Sequence, residues 1–308
     1  MTTGFTNEPV ETPYHPLFGS WQRLCAPLVG PEEFAAVAAR DVRDPAWDSW
    51  RRASYPVIQL VDAVRLDREA REALRSIPIR SGDRVLDLGC GIGAFSRYFL
   101  AEGAIEVVGI DREPQMLAFA ERLPLPPAGR LTLRLQDIRQ PLPFEDGAFD
   151  LVWFGDVWYP ETAAEAMRVL RPGGRLVVKQ SARLPWLLFA WDPWLQARVT
   201  AALEAAYAAT FGAPAQSILG QLRRAAPTHR VRVRSVLAER TVPIPLADEL
   251  FFTQTFARFQ GPLLRTQLSS ADWNVVTRLF DPASEHYLFR RDDAHLATAL
   301  TLYCLEPS

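Results

Sequence analysis

The chain has 308 residues, 48% of them hydrophobic, with 34 Lys+Arg against 36 Asp+Glu and a formal net charge of −2. That size and composition can bury a sizeable core, argue against wholesale disorder and give no general attraction for a nucleic-acid backbone. Three cysteines, Cys25, Cys90 and Cys304, stand far apart without a CxxC pair, which argues against a disulfide framework or a structural zinc site, so no metal is expected, and fits a reducing cytoplasm.

The opening stretch, MTTGFTNEPVETPYHP, lacks the basic-then-apolar layout of a signal peptide. Residues 1–30, rich in Pro, Gly and aromatics, read as an irregular arm. Helical patterns follow at 32–42 and 55–77, the second with Ile58, Val61, Val64, Leu66 and Leu74 on one side. Residues 1–79 are therefore expected to form an arm and helices that cap the main domain, 80–308.

From residue 81 the pattern changes. Short apolar runs at 84–88, 106–110, 131–135, 149–154 and 175–180 read as strands. Helices are expected at 94–100, 114–122 and 160–170, the last stopped by Arg-Pro-Gly-Gly at 171–174. Strands alternating with helices indicate βαβ units and a mostly parallel sheet. Residues 183–226 look helical and tryptophan-rich, and their most apolar run, 184–191, is broken by Asp192 and Pro193, too short for a membrane span. Residues 230–242 alternate, 247–281 look helical, and 297–305 suit a closing antiparallel strand. The helical insertions lie at about 183–229 and 247–281. Lys179 is the only lysine, which reads as a compositional habit rather than a functional mark.

The informative stretch is Val85-Leu-Asp-Leu-Gly-Cys-Gly-Ile-Gly-Ala-Phe95, at the end of a strand and the start of a helix. Gly89, Gly91 and Gly93 let the backbone turn tightly and approach a ligand, and the helix N-terminus offers unpaired N–H groups. Two ligand classes compete. A dinucleotide would lay its diphosphate here, but Asp87, just before the first glycine, repels phosphate, and the spacing is GxGxG rather than GxGxxG. A nucleoside carrying an ammonium and a carboxylate fits better, and S-adenosylmethionine is such a ligand. Asp111 ends the second strand, 20 residues after Gly91, where a carboxylate can accept from both ribose hydroxyls. Asp137 suits an adenine amine and the Ile138 N–H a ring nitrogen. Met116 and Ile138 can sandwich the base or simply belong to the core.

VLDLGCGIGAF, VVGIDREPQML, LQDIRQPLPFEDGAFDLVW and VLRPGGRLVV occur here in the order and spacing of class I S-adenosylmethionine-dependent methyltransferases, and residues 80–182 resemble that Rossmann-like family. The resemblance implies an α/β fold: a doubly wound sheet of seven mostly parallel strands, the last antiparallel, with helical cap insertions. It implies that Asp87 and the loop Gly89, Cys90, Gly91 and Gly93 hold the methionine part. Asp111 would take the ribose and Asp137 with Ile138 the adenine; Arg112, Met116 and Gly155 complete the cofactor-binding set. One segment departs from the family: Gly155-Asp-Val-Trp-Tyr-Pro160 matches neither the histidine-bearing segment of quinone and sterol methylators nor the Asn/Asp-Pro-Pro-Tyr of many nucleic-acid amino-group methylators.

Methyl transfer needs alignment and exclusion of water, and a base only if the acceptor must lose a proton. Asp156, Tyr159 and His15 are the candidates for catalytic roles. Specificity is expected from the arm (Tyr14, His15, Phe18, Trp21), from Trp186, Trp191 and Trp194, and from Phe251, Phe252, Phe256 and Phe259. These aromatics suit a pocket for an apolar or aromatic small molecule, or they pack the cap onto the sheet. The arginines at 223–240 either hold an anionic acceptor or form the solvated face of a strand. The expected function is a cytoplasmic S-adenosylmethionine-dependent methyltransferase acting on a small molecule, without nucleic-acid or membrane partners. The alternatives are a methyltransferase of protein or RNA, and a protein of the same fold that binds the cofactor without methylating.

Overall fold

The computed structural model describes residues 45–77, 79–181, 186–188, 192–211 and 217–307. The arm with Tyr14, His15, Phe18, Trp21 and Cys25, the helix expected at 32–42, and Trp191 lie outside the described residues, as does the side chain of Trp186.

The chain enters through two helices, α1 (Pro45–Arg65) and α2 (Asp67–Leu74). The single helix expected at 55–77 is thus two, the first beginning earlier, at Pro45, and they break at Leu66, whose φ of −103° and ψ of 11° are not helical. A regular alternation follows: β1 (Arg84–Leu88), α3 (Ala94–Ala101), β2 (Glu106–Asp111), α4 (Pro114–Ala120), β3 (Arg130–Leu135), β4 (Phe149–Gly155), α5 (Ala163–Val169) and β5 (Leu170–Ser181). Pro114 stands in the first turn of α4, where its missing N–H costs nothing.

β1 to β5 are parallel in the order β3-β2-β1-β4-β5. The chain then gives β6 (Trp186–Leu188), α6 (Pro193–Phe211), α7 (Ile218–Ala225), β7 (His229–Thr241), α8 (Leu246–Thr255), α9 (Gly261–Leu264), α10 (Ser270–Phe280) and β8 (His295–Pro307). β8 runs antiparallel between β5 and β7. β6, in a segment expected to be helical, pairs with residues 295–297 of β8, beyond the 300–305 paired with β5. Since β7 occupies the other edge of β8 throughout, β6 continues the line of β5. The sheet is thus seven strands wide, with the closing strand antiparallel.

Alternation along the strands builds two separate cores, as a sheet covered on both faces requires. Val85, Val107, Leu151 and Val177 face a core shared with α1 to α4, whereas Leu86, Val108, Val152 and Val178 face one shared with α5 and α7. A third core belongs to the helical cap: Leu203 of α6, Phe252 of α8, Leu263 of α9 and Val276 of α10 pack with Tyr287 and Phe289. Phe256 and Phe280 stack there at 4.3 Å. Trp194 stays exposed, at 77%.

The arginine-rich strand divides by position. Arg230, Arg232 and Arg234 are exposed, with Arg232 on Glu306, as an outer strand requires. Arg240 instead turns inward, donating to Glu69, to Asp248 and to the Arg65 carbonyl, and so joins α2, β7, α8 and α1. No described helix is long and apolar enough to cross a membrane.

Candidate active site at the strand ends

The loop after β1 is bound up with its surroundings. The Gly89 and Cys90 N–H groups both donate to the Ile110 carbonyl, at 2.8 and 2.9 Å. Gly91 N–H donates to Asp111 Oδ2 at 2.8 Å, Ile92 N–H to Gln59 Oε1 at 3.3 Å, and Gly93 N–H to the Cys90 carbonyl at 2.8 Å. The amides expected to await an anion at 89–93 are therefore taken. A diphosphate placed here would have to displace protein partners from each of them. Gly89 and Gly91 have φ of +73° and +55°, and a Cβ at either would sit 2.4 Å from Val157 Cγ2 or 2.3 Å from Gln59 Oε1. Both positions accept only glycine, for conformational and for steric reasons.

Beneath the loop, Asp87 is buried, and its carboxylate accepts from Ser96 Oγ at 2.6 Å. Burial pushes its carboxyl up to about 7, the Ser96 hydrogen bond opposes the rise and the charge of Asp111 adds to it. Asp111 accepts from Gly91 N–H through one oxygen and from Glu113 N–H through the other at 2.9 Å. A carboxylate offers about four lone-pair directions, so two remain for a ligand. Burial raises this carboxyl as well, against its backbone hydrogen bonds.

A cavity of about 250 Å³ opens beside the loop, with Asp87, Gly89, Cys90, Gly155, Asp156 and Lys179 among the residues of its floor. α1 supplies Tyr55, Gln59 and Arg65 to its walls, and the cap supplies Tyr207, Phe251 and Phe259. On the floor Phe95 stacks on Trp153 at 4.7 Å. The roof includes a π-helical turn, Phe256–Gln260, a distortion that recurs at functional sites.

At the end of β4, Asp156 is the one non-glycine residue with positive φ among those described, at 58°. Its backbone N–H donates to the Lys179 carbonyl at 2.9 Å, and Ser181 N–H donates to its Oδ1 at 2.6 Å. Its Oδ2 pairs with the Lys179 ammonium, which is buried. A left-handed backbone held by this many bonds is the kind of strain that settles at functional sites.

Three buried side-chain atoms among the described residues have no hydrogen-bond partner: Arg65 Nη1, Trp153 Nε1 and Thr255 Oγ1. All three residues line this cavity. Arg65 Nη1 stands 3.6 Å from Asp248 Oδ1, too far for a hydrogen bond, and the guanidinium lies over Phe251 at 4.0 Å. An unpaired buried polar group costs about 1–3 kcal/mol. Thr255→Val should therefore leave the melting temperature of the ligand-free protein equal or higher. A fall of several degrees by calorimetry would mean that the hydroxyl has a partner.

The remaining expected site residues follow β2, β3 and β4 in the chain and are not among those that line this cavity. Met116 and Ile138 are buried in the two cores. Arg112 is half exposed and pairs with Glu113 at 3.4 Å. Asp137 is clasped by the Arg139 side chain, which holds its carboxyl down at about 2. Tyr159 presents its ring to the Arg139 guanidinium at 5.5 Å. Gly91 and Asp111 join the two groups through their hydrogen bond. The sequence reading passed over Lys179, Gln59, Arg65 and Thr255. For Lys179 a signal was present: a lone lysine closing an apolar strand, LVVK. Gln59 had only the weak mark of one amide on an apolar helix face.

The sequence profile of the methyltransferase domain matches residues 85–174, which run from β1 into β5 and include the glycine loop, Asp111, Asp137 and Asp156 but not Lys179 or Ser181. Residues 85–174 carry a methyltransferase domain. Over 102 residues this domain is 39% identical to the 2-methyl-6-phytyl-1,4-hydroquinone methyltransferase of Synechocystis, covering 32% of this chain and 31% of that one. Over 141 residues it is 37% identical to the demethylmenaquinone methyltransferase of Beutenbergia cavernae, covering 44% and 56%. The 27-O-demethylrifamycin SV methyltransferase of Amycolatopsis mediterranei is 33% identical over 118 residues, covering 35% and 42%. The chain thus spans between about a third and just over half of the length of these curated relatives. Among solved structures, the YcgJ protein of Bacillus subtilis aligns over 79% of this chain and 99% of its own, at 14% identity and a TM-score of 0.48. The methyltransferase domain is flanked here by α1 and α2 on one side and by the β6–β8 segment on the other, and the cavity draws its walls from both.

Proposed function

We propose that this protein transfers the methyl group of S-adenosylmethionine to a small, apolar or aromatic molecule enclosed between the sheet and the helical cap. The observation that carries the reading is the set of polar groups around the glycine loop. Its amides are satisfied within the protein, while a buried carboxylate beneath it and a second one beside it keep lone pairs free. That set favours a ligand with an ammonium and a ribose over one with a diphosphate.

The residues present fit the cofactor. Asp87 would take the ammonium, the loop from Gly89 to Gly93 the methionine chain, Asp111 the ribose hydroxyls, and Asp137 with Ile138 the adenine, near Met116 and Arg112. When bound, the cofactor supplies a methyl group already activated by its sulfonium. The protein's work is then to align the acceptor near Gly155 and to exclude water. Asp156 serves as the positioning or proton-accepting group. Tyr159 and His15 stay candidates for contact with the acceptor, the first beside Arg139 and the second outside the described residues.

The aromatic walls support a small acceptor, as does the enclosure of the cavity by α1 and the cap. The names of several relatives point the same way, since they act on a phytyl hydroquinone, demethylmenaquinone and a rifamycin. A net charge of −2 gives no help to a nucleic-acid substrate, and a cytoplasmic setting suits the widely spaced cysteines. The test is incubation with isotopically labelled S-adenosylmethionine and small-molecule extracts, followed by mass spectrometry. One labelled methyl group is expected on a low-molecular-mass product. Label found only in protein or RNA would overturn the choice of acceptor.

A further inference from the structure

Lys179 is set apart twice, as the only lysine among 34 basic residues and as a buried ammonium on the floor of the cavity. Taking an ammonium out of water is costly unless it is paired and hydrogen-bonded. It has three N–H donors, and among the described residues one is used, on Asp156 Oδ2. The charge also lies 5.2 Å from the centre of the Phe95 ring, which stacks on Trp153. A tie between β4 and β5 would not require this arrangement. Asp156 is already fixed to β5 by its own N–H and by Ser181, and among the described residues arginine makes most of the other ion pairs, such as Arg175–Asp83 and Arg240–Glu69. What lysine alone supplies is a compact point charge with donors left over, facing an aromatic-lined space.

We infer that the Lys179–Asp156 pair is the binding site for a hydroxyl group of the acceptor, and that the acceptor is a hydroxylated aromatic molecule methylated on oxygen. This rests on the methyltransferase reading and narrows it to a substrate class and a reacting atom. The hydroxyl accepts a hydrogen bond from Lys179 Nζ and donates one to Asp156, while its ring lies among the aromatic side chains. In the transfer, the O–H bond breaks and its proton passes to the Asp156 carboxylate. The oxygen forms the new bond to the methyl carbon of S-adenosylmethionine, and the carbon–sulfur bond breaks with its electron pair left on sulfur. Asp156, 44% exposed, returns the proton to solvent.

The two members of the pair act on the hydroxyl with opposite sign, and this makes the inference testable without turnover. 4-Nitrophenol, whose phenolate is yellow, is titrated into the protein saturated with S-adenosylhomocysteine, and the pH at which the band of the bound probe appears is recorded. Lys179→Met leaves the probe beside a lone carboxylate and should move that pH upward by about one unit, with weaker binding. Asp156→Asn leaves it beside a lone ammonium and should move it downward by about one unit. A merely structural tie predicts no opposite shifts. Shifts in one direction, no shift, or failure of the wild type to bind the probe overturns the inference. Should Lys179→Met not fold, the downward shift in Asp156→Asn decides. Calorimetry with S-adenosylhomocysteine on the same samples separates the two levels. Absent binding to wild type overturns the methyltransferase reading together with this inference, whereas intact binding without the opposed shifts overturns the inference alone.

Discussion

Asp111→Ala should weaken S-adenosylhomocysteine binding by two orders of magnitude or more. Two lone pairs of this carboxylate are free for the ribose hydroxyls, and hydrogen bonds to a charged group contribute about 1.5–3 kcal/mol each. The pair alone therefore accounts for a factor of about a hundred or more. The same side chain also holds Gly91 N–H at 2.8 Å and Glu113 N–H at 2.9 Å, so its removal frees the glycine loop and the entry to α4 as well. Asp111→Asn keeps one carbonyl oxygen in place and should fall between the two. Isothermal titration of wild type and both variants checks this, and equal affinities would remove Asp111 from the binding site.

The second large effect is a dependence of cofactor affinity on pH, centred on Asp87. Burial, with the Asp111 charge adding to it, lifts this carboxyl to about 7 from an ordinary 3.8. Without ligand, then, the folded protein holds a proton on Asp87 through the range between those values, and an unfolded chain does not. The sign follows from proton linkage. A group whose folded value is raised this way makes the protein less stable as pH climbs from about 4 to about 7, by an amount on the order of 4 kcal/mol. A ligand ammonium favours the carboxylate and expels the proton. Affinity for S-adenosylhomocysteine should therefore rise about tenfold per pH unit below 7 and level off above it. Asp87→Asn should raise the melting temperature at pH 8 and flatten the pH dependence. Calorimetry in two buffers of different ionisation enthalpy counts the released proton directly; a count of zero at pH 6 would mean that Asp87 does not meet the ammonium.

What could be read beforehand follows from how local the causes are. The parallel strands announce themselves because VLDL, VVGI and LVWF are apolar on both faces, as a doubly covered sheet demands. The glycine loop was legible because φ above zero and close approach leave no other residue type. β6 was not, since three residues of Trp-Leu-Leu carry no period and are strand only by virtue of β8 beside them. The cavity was the least legible part. Its walls come from α1, α6, α8 and the π-helical turn, brought together by packing across distant stretches of sequence. Arg65 illustrates the point: it closes the polar side of a surface-like helix, yet it is buried because Asp62, Asp248 and two phenylalanines surround its charge. Lys179 is the opposite case. Its rarity was plain in the composition, but only its place at the end of β5, in register with Gly155, gives that rarity a meaning.

Which nucleoside the crevice takes decides the chemistry of the site. Thermal unfolding with S-adenosylhomocysteine and, in parallel, with NAD at the same concentration asks this most directly, since a ligand that binds the native state raises its melting temperature by mass action. The expected result is a rise with S-adenosylhomocysteine and none with NAD; a rise with NAD and none with S-adenosylhomocysteine would contradict the assignment of Asp87, the glycine loop and Asp111.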